Sequence, residues 1–158
     1  MKREDILNGI KDRFEDSITE FSDRSKKRVY IDIDHKVIKD VIKYMIHDIG
    51  ARFNIASGID ARTEMEILYH FTIERINIII SFRVRINRDK PEIDSITPLI
   101  KGAEWIEREM HELLGINFIG HPNLKKLLLS EDWPEGVYPL RADYKEWDKD
   151  AIRDRGVK

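Results

Sequence analysis

The chain contains no cysteine and no glutamine. Without a thiolate it cannot form a disulfide, and its own side chains cannot supply the soft sulfur ligands of an iron–sulfur, nickel–iron or zinc–thiolate centre. Long hydrophobic runs are lacking as well. The longest, Ile76 to Phe82, falls far below the ~20 apolar residues that a membrane-spanning helix needs. The N-terminus mixes charged and apolar residues and has no apolar signal core. A cytoplasmic chain is expected, one that reaches a membrane only through a partner. The glycines are isolated, so no phosphate-cradling loop forms. Nor is there an excess of one charge: 28 basic against 30 acidic side chains give a net charge of −2. Nucleic-acid binding needs a basic face that displaces counterions, and is not expected.

What is present suits one domain of 158 residues, with 41% apolar and 37% charged side chains. Isoleucine is abundant, and Lys, Glu and Arg dominate the surface composition while thermolabile glutamine is missing. That bias is the one found in hyperthermophile proteins, so a melting temperature above the mesophile range is expected.

Ile6, Ile10, Phe14 and Ile18 stand four apart and predict an amphipathic helix over residues 4–21. Residues 28–33 alternate as a half-buried strand, with Val29, Ile31 and Ile33 on one face. Asp34 is placed to cap a second helix carrying Val37, Val41, Ile42, Met45 and Ile49, with Gly50 as its stop. Three strands come next. The first holds Phe53 and Ile55, before a turn region with Gly58 and Asp60; the second has Met65 through Ile73 on one face, the third Ile78 through Ile86. Arg83 and Arg85 fall on the opposite, wetter face. Thr97 and Pro98 look like a cap and first turn opening a helical stretch to Leu114, split at Gly102 and ended by Gly115. Ala103, Ile106, Met110 and Leu113 form its predicted inward stripe.

Beyond Ile116 the periodicity fades, apart from a short helical patch around residues 124–129. Trp133, Tyr138, Tyr144 and Trp147 punctuate a stretch rich in glycine and proline. The expected fold is therefore α+β: a mixed, largely antiparallel sheet packed against helices, with a body over residues 1–115 and an extended C-terminal tail over 116–158. A tail too irregular to build its own core, yet rich in aromatics, is expected to lie largely against a partner subunit, and loosest from Lys145 onward. Its removal from residue 130 is expected to leave a folded body.

The chemistry-bearing side chains concentrate on the third helix and just after it. Glu104, Arg108 and Glu112 share one face at four-residue spacing, which allows a solvated ladder of ion pairs or a contact with a partner. Trp105 beside that ladder favours an interface. His111 and Glu112 begin like a zinc-hydrolase helix, but Gly115 stands where the second histidine must be. His121, between Gly120 and Pro122, lacks a nucleophile and an orienting carboxylate in the sequence, so a turn-stabilising role is expected. A free-standing enzyme built on Glu107, His111 and His121, and a soluble interaction module, remain the alternatives from other classes.

The run Glu107-Arg108-Glu109, two residues, Glu112-Leu113-Leu114, six residues, His121, three residues, Lys125, one residue, Leu127-Leu128 resembles the signature of one subunit family of respiratory complex I, the NADH–quinone oxidoreductase. The family is that of the smaller partner of the quinone-site subunit. Gly102, Ala103, Trp105, Gly115, Ile116 and Phe118 fit around the signature, as do Pro139-Leu140-Arg141 and Asp143-Tyr144 after it. The phrase from Asp132 to Arg141 is more similar to the homologous subunit of energy-converting, membrane-bound [NiFe] hydrogenases. The resemblance implies a non-catalytic subunit that holds no cofactor and packs against a large catalytic subunit, beside a small cluster-bearing one. Iron–sulfur and nickel–iron or quinone sites are then expected in those partners. The residues expected at the interface are Trp105, Glu107, Arg108, Glu109, His121, Pro122, Trp133, Tyr138 and Arg141.

Overall fold

A computed structural model of the chain describes residues 2–145. Helix α1 (Arg3–Phe14) buries Ile6, Leu7, Ile10 and Phe14, and the Asp5 carboxylate accepts the Lys2 backbone N–H at 2.7 Å to cap its start. The helix does not continue to residue 21. After a 3₁₀ turn at Glu15–Ser17 the chain becomes strand β1 (Ile18–Ser25), which forms a hairpin with β2 (Arg28–Ile33). Ile18 keeps the four-residue spacing and still reaches the core, but the β-branched pair Ile18-Thr19 favours the ladder that β2 offers.

The Asp34 side chain accepts the Lys36 N–H, as a cap should. The second helical stretch begins as a 3₁₀ turn, becomes α2 (Ile38–Lys43) and closes with a π turn over Tyr44–Asp48. Gly50, at φ +68°, reverses the chain into β3 (Arg52–Asp60), so Gly58 lies within a strand, not in a turn. Strands β4 (Glu64–Ile73) and β5 (Ile78–Asn87) complete a sheet ordered β1-β2-β5-β4-β3, in which only β2 and β5 run parallel. The parallel pair is joined through α2, β3 and β4, as a crossover requires.

The pattern of alternation is borne out residue by residue. Met65, Ile67, Tyr69, Phe71 and Ile73 on β4, and Ile78, Ile80, Phe82, Val84 and Ile86 on β5, are all buried in one core with the apolar residues of the helices. The opposite face carries an ionic array. Asp32 is buried there, 2.7 Å from Arg85, and Arg85 also lies 3.1 Å from Glu64.

The stretch after β5 differs from expectation. Residues Glu92–Asp94 form a short strand, β6, and Thr97 does not cap a helix. A 3₁₀ turn at Lys101–Ala103 leads directly into α3 (Glu104–Leu114), ended by Gly115 at φ +77°. The next residues, Asn117–Ile119, pair as β7 in parallel with β6. Ile116 and Phe118 are both buried, so the core continues past Gly115 into the segment expected to be tail.

Helix α3 crosses β3 at Gly58, where a Cβ atom would fall 2.6 Å from Leu114 Cδ1 and 3.1 Å from Met110 Sδ. Gly58→Val therefore forces the Leu114 and Met110 side chains to repack against β3. An overpacking loss of about 1–3 kcal/mol is expected in denaturant unfolding.

Candidate partner interface

The buried side of α3 is turned slightly from the predicted stripe. Ala103, Glu107, Met110 and Leu114 point inward, while Ile106 and Leu113 are half-buried on the flank. Two buried acidic residues, Glu107 and Glu112, are what the apolar pattern missed. Glu107 is fully buried, and its carboxyl group accepts the Ile96 N–H at 2.7 Å, the Thr97 hydroxyl at 2.7 Å and the Ser95 hydroxyl. Burying a carboxyl without partners is expensive, and these three donors answer that cost. Glu107 is thus an internal tie to the segment before the helix, a correction to its expected place at an interface.

His121 also turns inward, with a side chain fully shielded from solvent. The Asn123 N–H donates to Nδ1 at 3.0 Å, which leaves the proton on Nε2 to donate to the Glu104 carbonyl at 3.1 Å. The imidazole fastens a turn, as its sequence position suggested. Glu107 Oε2 is 3.8 Å from Nε2. The third member of the enzyme alternative, His111, is occupied elsewhere, donating to the Ile116 carbonyl at 2.8 Å. Among the described residues no group of three histidine or acidic side chains converges to hold a metal ion.

Arg108 and Glu112 are engaged by the backbone of their own chain. Arg108 donates to the carbonyls of Lys125 and Lys126 at 3.0 and 2.6 Å. Glu112 accepts the N–H groups of Leu127, Leu128 and Leu129 at 3.0, 2.8 and 2.6 Å. Residues 124–129 are not helical; one guanidinium and one carboxylate supply the partners that a helix would have given their backbone. Burial pushes the Glu112 pKa up. The three N–H groups and the nearby Lys126 charge outweigh it and hold the carboxyl below its ordinary range.

The tail, as far as Lys145, is fastened to the chain's own body. The Leu140 N–H and Arg141 Nε donate to the carbonyls of Leu113 and Leu114 at 3.0 and 2.8 Å, taking up free acceptors at the end of α3. The Arg141 guanidinium lies 4.6 Å from the centre of the Tyr138 ring, which packs over Gly115 where a Cβ would clash at 2.6 Å. Trp133 donates to the Val137 carbonyl at 2.8 Å and stacks on Tyr144. The Ala142 N–H reaches Asp60 at 2.8 Å, and Arg88 joins Asp60 to Asp143. The Arg88 hydrogen bonds, working against burial and helped by the Ala142 and Arg62 N–H groups, hold the Asp60 carboxyl well below the usual carboxylate range. Trp133, Tyr138 and Arg141, expected on a partner, are each half-buried against their own chain. Trp147 and the stretch beyond Lys145 lie outside the described residues.

Of the expected interface residues, Trp105 and Pro122 are exposed, Trp105 at 69%, while Arg108 and Glu109 are half-buried. The sequence reading missed Leu128 and Leu140, which are 63% and 59% exposed. It also missed Asp60, whose link to Ala142 spans 82 residues and leaves no local signal. A cleft of about 510 Å³ lies between the end of α3 and the tail, lined by His111, Glu112, Lys126, Trp133 and Tyr138.

Residues 31–149 match the family described as respiratory-chain NADH dehydrogenase, 30 Kd subunit. The chain is 34% identical over 142 residues to a subunit of the F(420)H(2) dehydrogenase of Methanosarcina mazei, covering 88% of this chain and 89% of that one. It is 27% identical over 161 residues to the membrane-bound hydrogenase subunit beta of Pyrococcus furiosus, covering 98% and 93%. In three dimensions it is similar to a chain of the membrane-bound sulfane sulfur reductase, an archaeal respiratory membrane complex. That match has a TM-score of 0.81 and 20% identity, over 99% of this chain and 92% of the other. The chain belongs to the 30-kDa subunit family of respiratory-chain NADH dehydrogenase. The resemblance read from residues 102–144 is borne out.

Glu112→Ala is expected to strand three backbone N–H groups, at a cost of about 1–3 kcal/mol. Because the folded pKa is depressed, the stabilisation is complete above the ordinary value of 4.5 and is lost as pH falls through the lower folded value. Acidification below that point should therefore release residues 123–129 in wild type, while Glu112→Ala shows the release already at neutral pH. Amide exchange at Leu127, Leu128 and Leu129 measures both.

Proposed function

We propose that the chain is a non-catalytic subunit of a membrane-bound hydrogenase or complex I-like oxidoreductase, packing against its large catalytic subunit. The observation that carries this reading is how the family signature is used. Glu107, Arg108, Glu112 and His121 are all engaged with the chain's own backbone, while Trp105, Leu128 and Leu140 project outward. Polar side chains taken up internally are not available to a substrate; large exposed apolar side chains are what a protein partner covers. The names of the relatives from Methanosarcina mazei and Pyrococcus furiosus, both subunits of larger enzymes, support the same reading.

In this reading the chain holds no cofactor, and iron–sulfur and nickel–iron or quinone sites belong to the large subunit and a small cluster-bearing subunit. The complex is attached to the cytoplasmic side of the membrane. Attachment runs through the partners in this reading, and among the described residues no helix is long and apolar enough to cross a membrane.

Affinity capture of the tagged chain from detergent-solubilised membranes tests the proposal. A hydrogenase-like or quinone-site large subunit should be recovered with it; recovery of the chain alone, or with proteins unrelated to redox complexes, would sink the reading. Trp105→Ala should weaken this association by about 2 kcal/mol or more, as central interface tryptophans do. With 69% of its surface exposed, Trp105 contributes little to the core, so the melting temperature of the variant should stay close to wild type.

A further inference from the structure

The five-stranded sheet has two edges, and the sequence treats them differently. At one edge, β1 carries Glu20, Asp23 and Arg24 and is interrupted by two register shifts. Charges and bulges of this kind stop a further strand from pairing. At the other edge, β3 has a charged residue only at each end, Arg52 and Asp60, and residues 53–59 between them hold no charge and no proline, in a chain that is 37% charged. Its one register shift lies at the start, between Phe53 and Ile55. Ile55 and Ile59 are 49% and 45% exposed. Among the described residues β3 pairs with β4 alone, so one side of its backbone ladder is open.

Beside this edge runs a groove of about 230 Å³, between β3 and the flank of α3. Ile106, Met110, Leu113 and Leu140 make it apolar, and Glu109 is the one charged side chain that lines it. Trp105 stands one turn before Glu109 on the same flank of the helix.

We propose that the free edge of β3 takes up an extended, largely apolar segment of the partner subunit as an additional strand, with a basic residue of that segment facing Glu109. The backbone of β3 supplies the hydrogen bonds, and the groove receives alternate side chains of the added strand. Glu109 sets the sign of the segment, since an acidic residue opposite it is repelled. The proposal rests on the reading of the chain as a subunit of a larger complex.

Hydrogen exchange, compared between the isolated chain and the purified complex, tests it. The amides of residues 53–59 that point outward, away from the ladder with β4, should exchange quickly in the isolated chain and at least about 100-fold more slowly in the complex. The double variant Ile55→Lys with Ile59→Lys should melt as wild type does, yet recover partner subunits at a yield roughly tenfold lower. A complex that forms while these amides stay fast overturns the added strand and leaves the subunit reading standing. Failure to recover any partner with the wild-type chain overturns both. Slow exchange already present in the isolated chain also overturns the proposal. A chain ending at Lys145 and a size measurement then tell whether the edge is filled by the chain's own residues or by a second copy.

Discussion

The carboxyl group of Glu107, buried beneath α3, is the constraint on which this half of the molecule depends. An ionisable group in an apolar interior destabilises the fold by several kcal/mol unless its hydrogen-bonding capacity is met. Here it is met by Ser95, Ile96 and Thr97, three consecutive residues of one connecting segment. That arrangement fixes the helix relative to the strands on either side of it. The Ile96 N–H and the two hydroxyls find their acceptor in the same carboxyl group, so the dependence runs both ways.

From that fixed position the same helix organises the segment beyond β7. Glu107 and Glu112 are five residues apart, about 140° around a helix, so they serve different neighbours. Glu112 takes N–H groups from Leu127 to Leu129, and Arg108 gives N–H groups to the carbonyls just before them. The two side chains are complementary, an acceptor set and a donor set applied to successive peptide units. Lys126 continues the scheme by donating to the carbonyls of Ser130, Glu131 and Trp133. A stretch with no secondary structure is thereby held in one conformation without a core of its own.

These ties explain which parts were legible in the sequence. The strands β2, β4 and β5 announce themselves because strict alternation has one structural solution when one face is buried. The helix spanning Glu104–Leu114 was legible through its period and its glycine stop, Gly115. The strand β1 was not, because Ile18 happens to extend the four-residue spacing of the preceding helix. The short strands β6 and β7 were hidden for another reason: each has three residues, and a parallel pair formed across an intervening helix leaves no local trace. For the candidate site, the spacing singled out Glu107, Arg108 and His121 but not the backbone groups of their own chain that they bind. Sequence shows that Glu107, Arg108, Glu112 and His121 recur at meaningful intervals, but solvation is not encoded in spacing. A charged ladder on a helix and a set of internal clamps have the same pattern until the next forty residues are folded over it.

The internal use of the signature also bears on how the chain meets its partners. If the residues after Ile116 were loose, every side chain ordered on docking would cost about 0.5–1.5 kcal/mol of association energy. Instead the backbone that carries Leu128 is fastened by Glu112, and the backbone that carries Leu140 is fastened to the end of α3 through Leu113 and Leu114. Trp105 rides on α3 itself. These three large exposed side chains are thus displayed from rigid supports, and the ordering has been completed in the fold. In the proposed interface the signature would contribute by holding this surface in place, even though few of its side chains reach it. In that proposed interface, a charge-neutralising change at Glu112 or Arg108 would weaken docking through Leu128 by returning to the chain the freedom that folding had taken away.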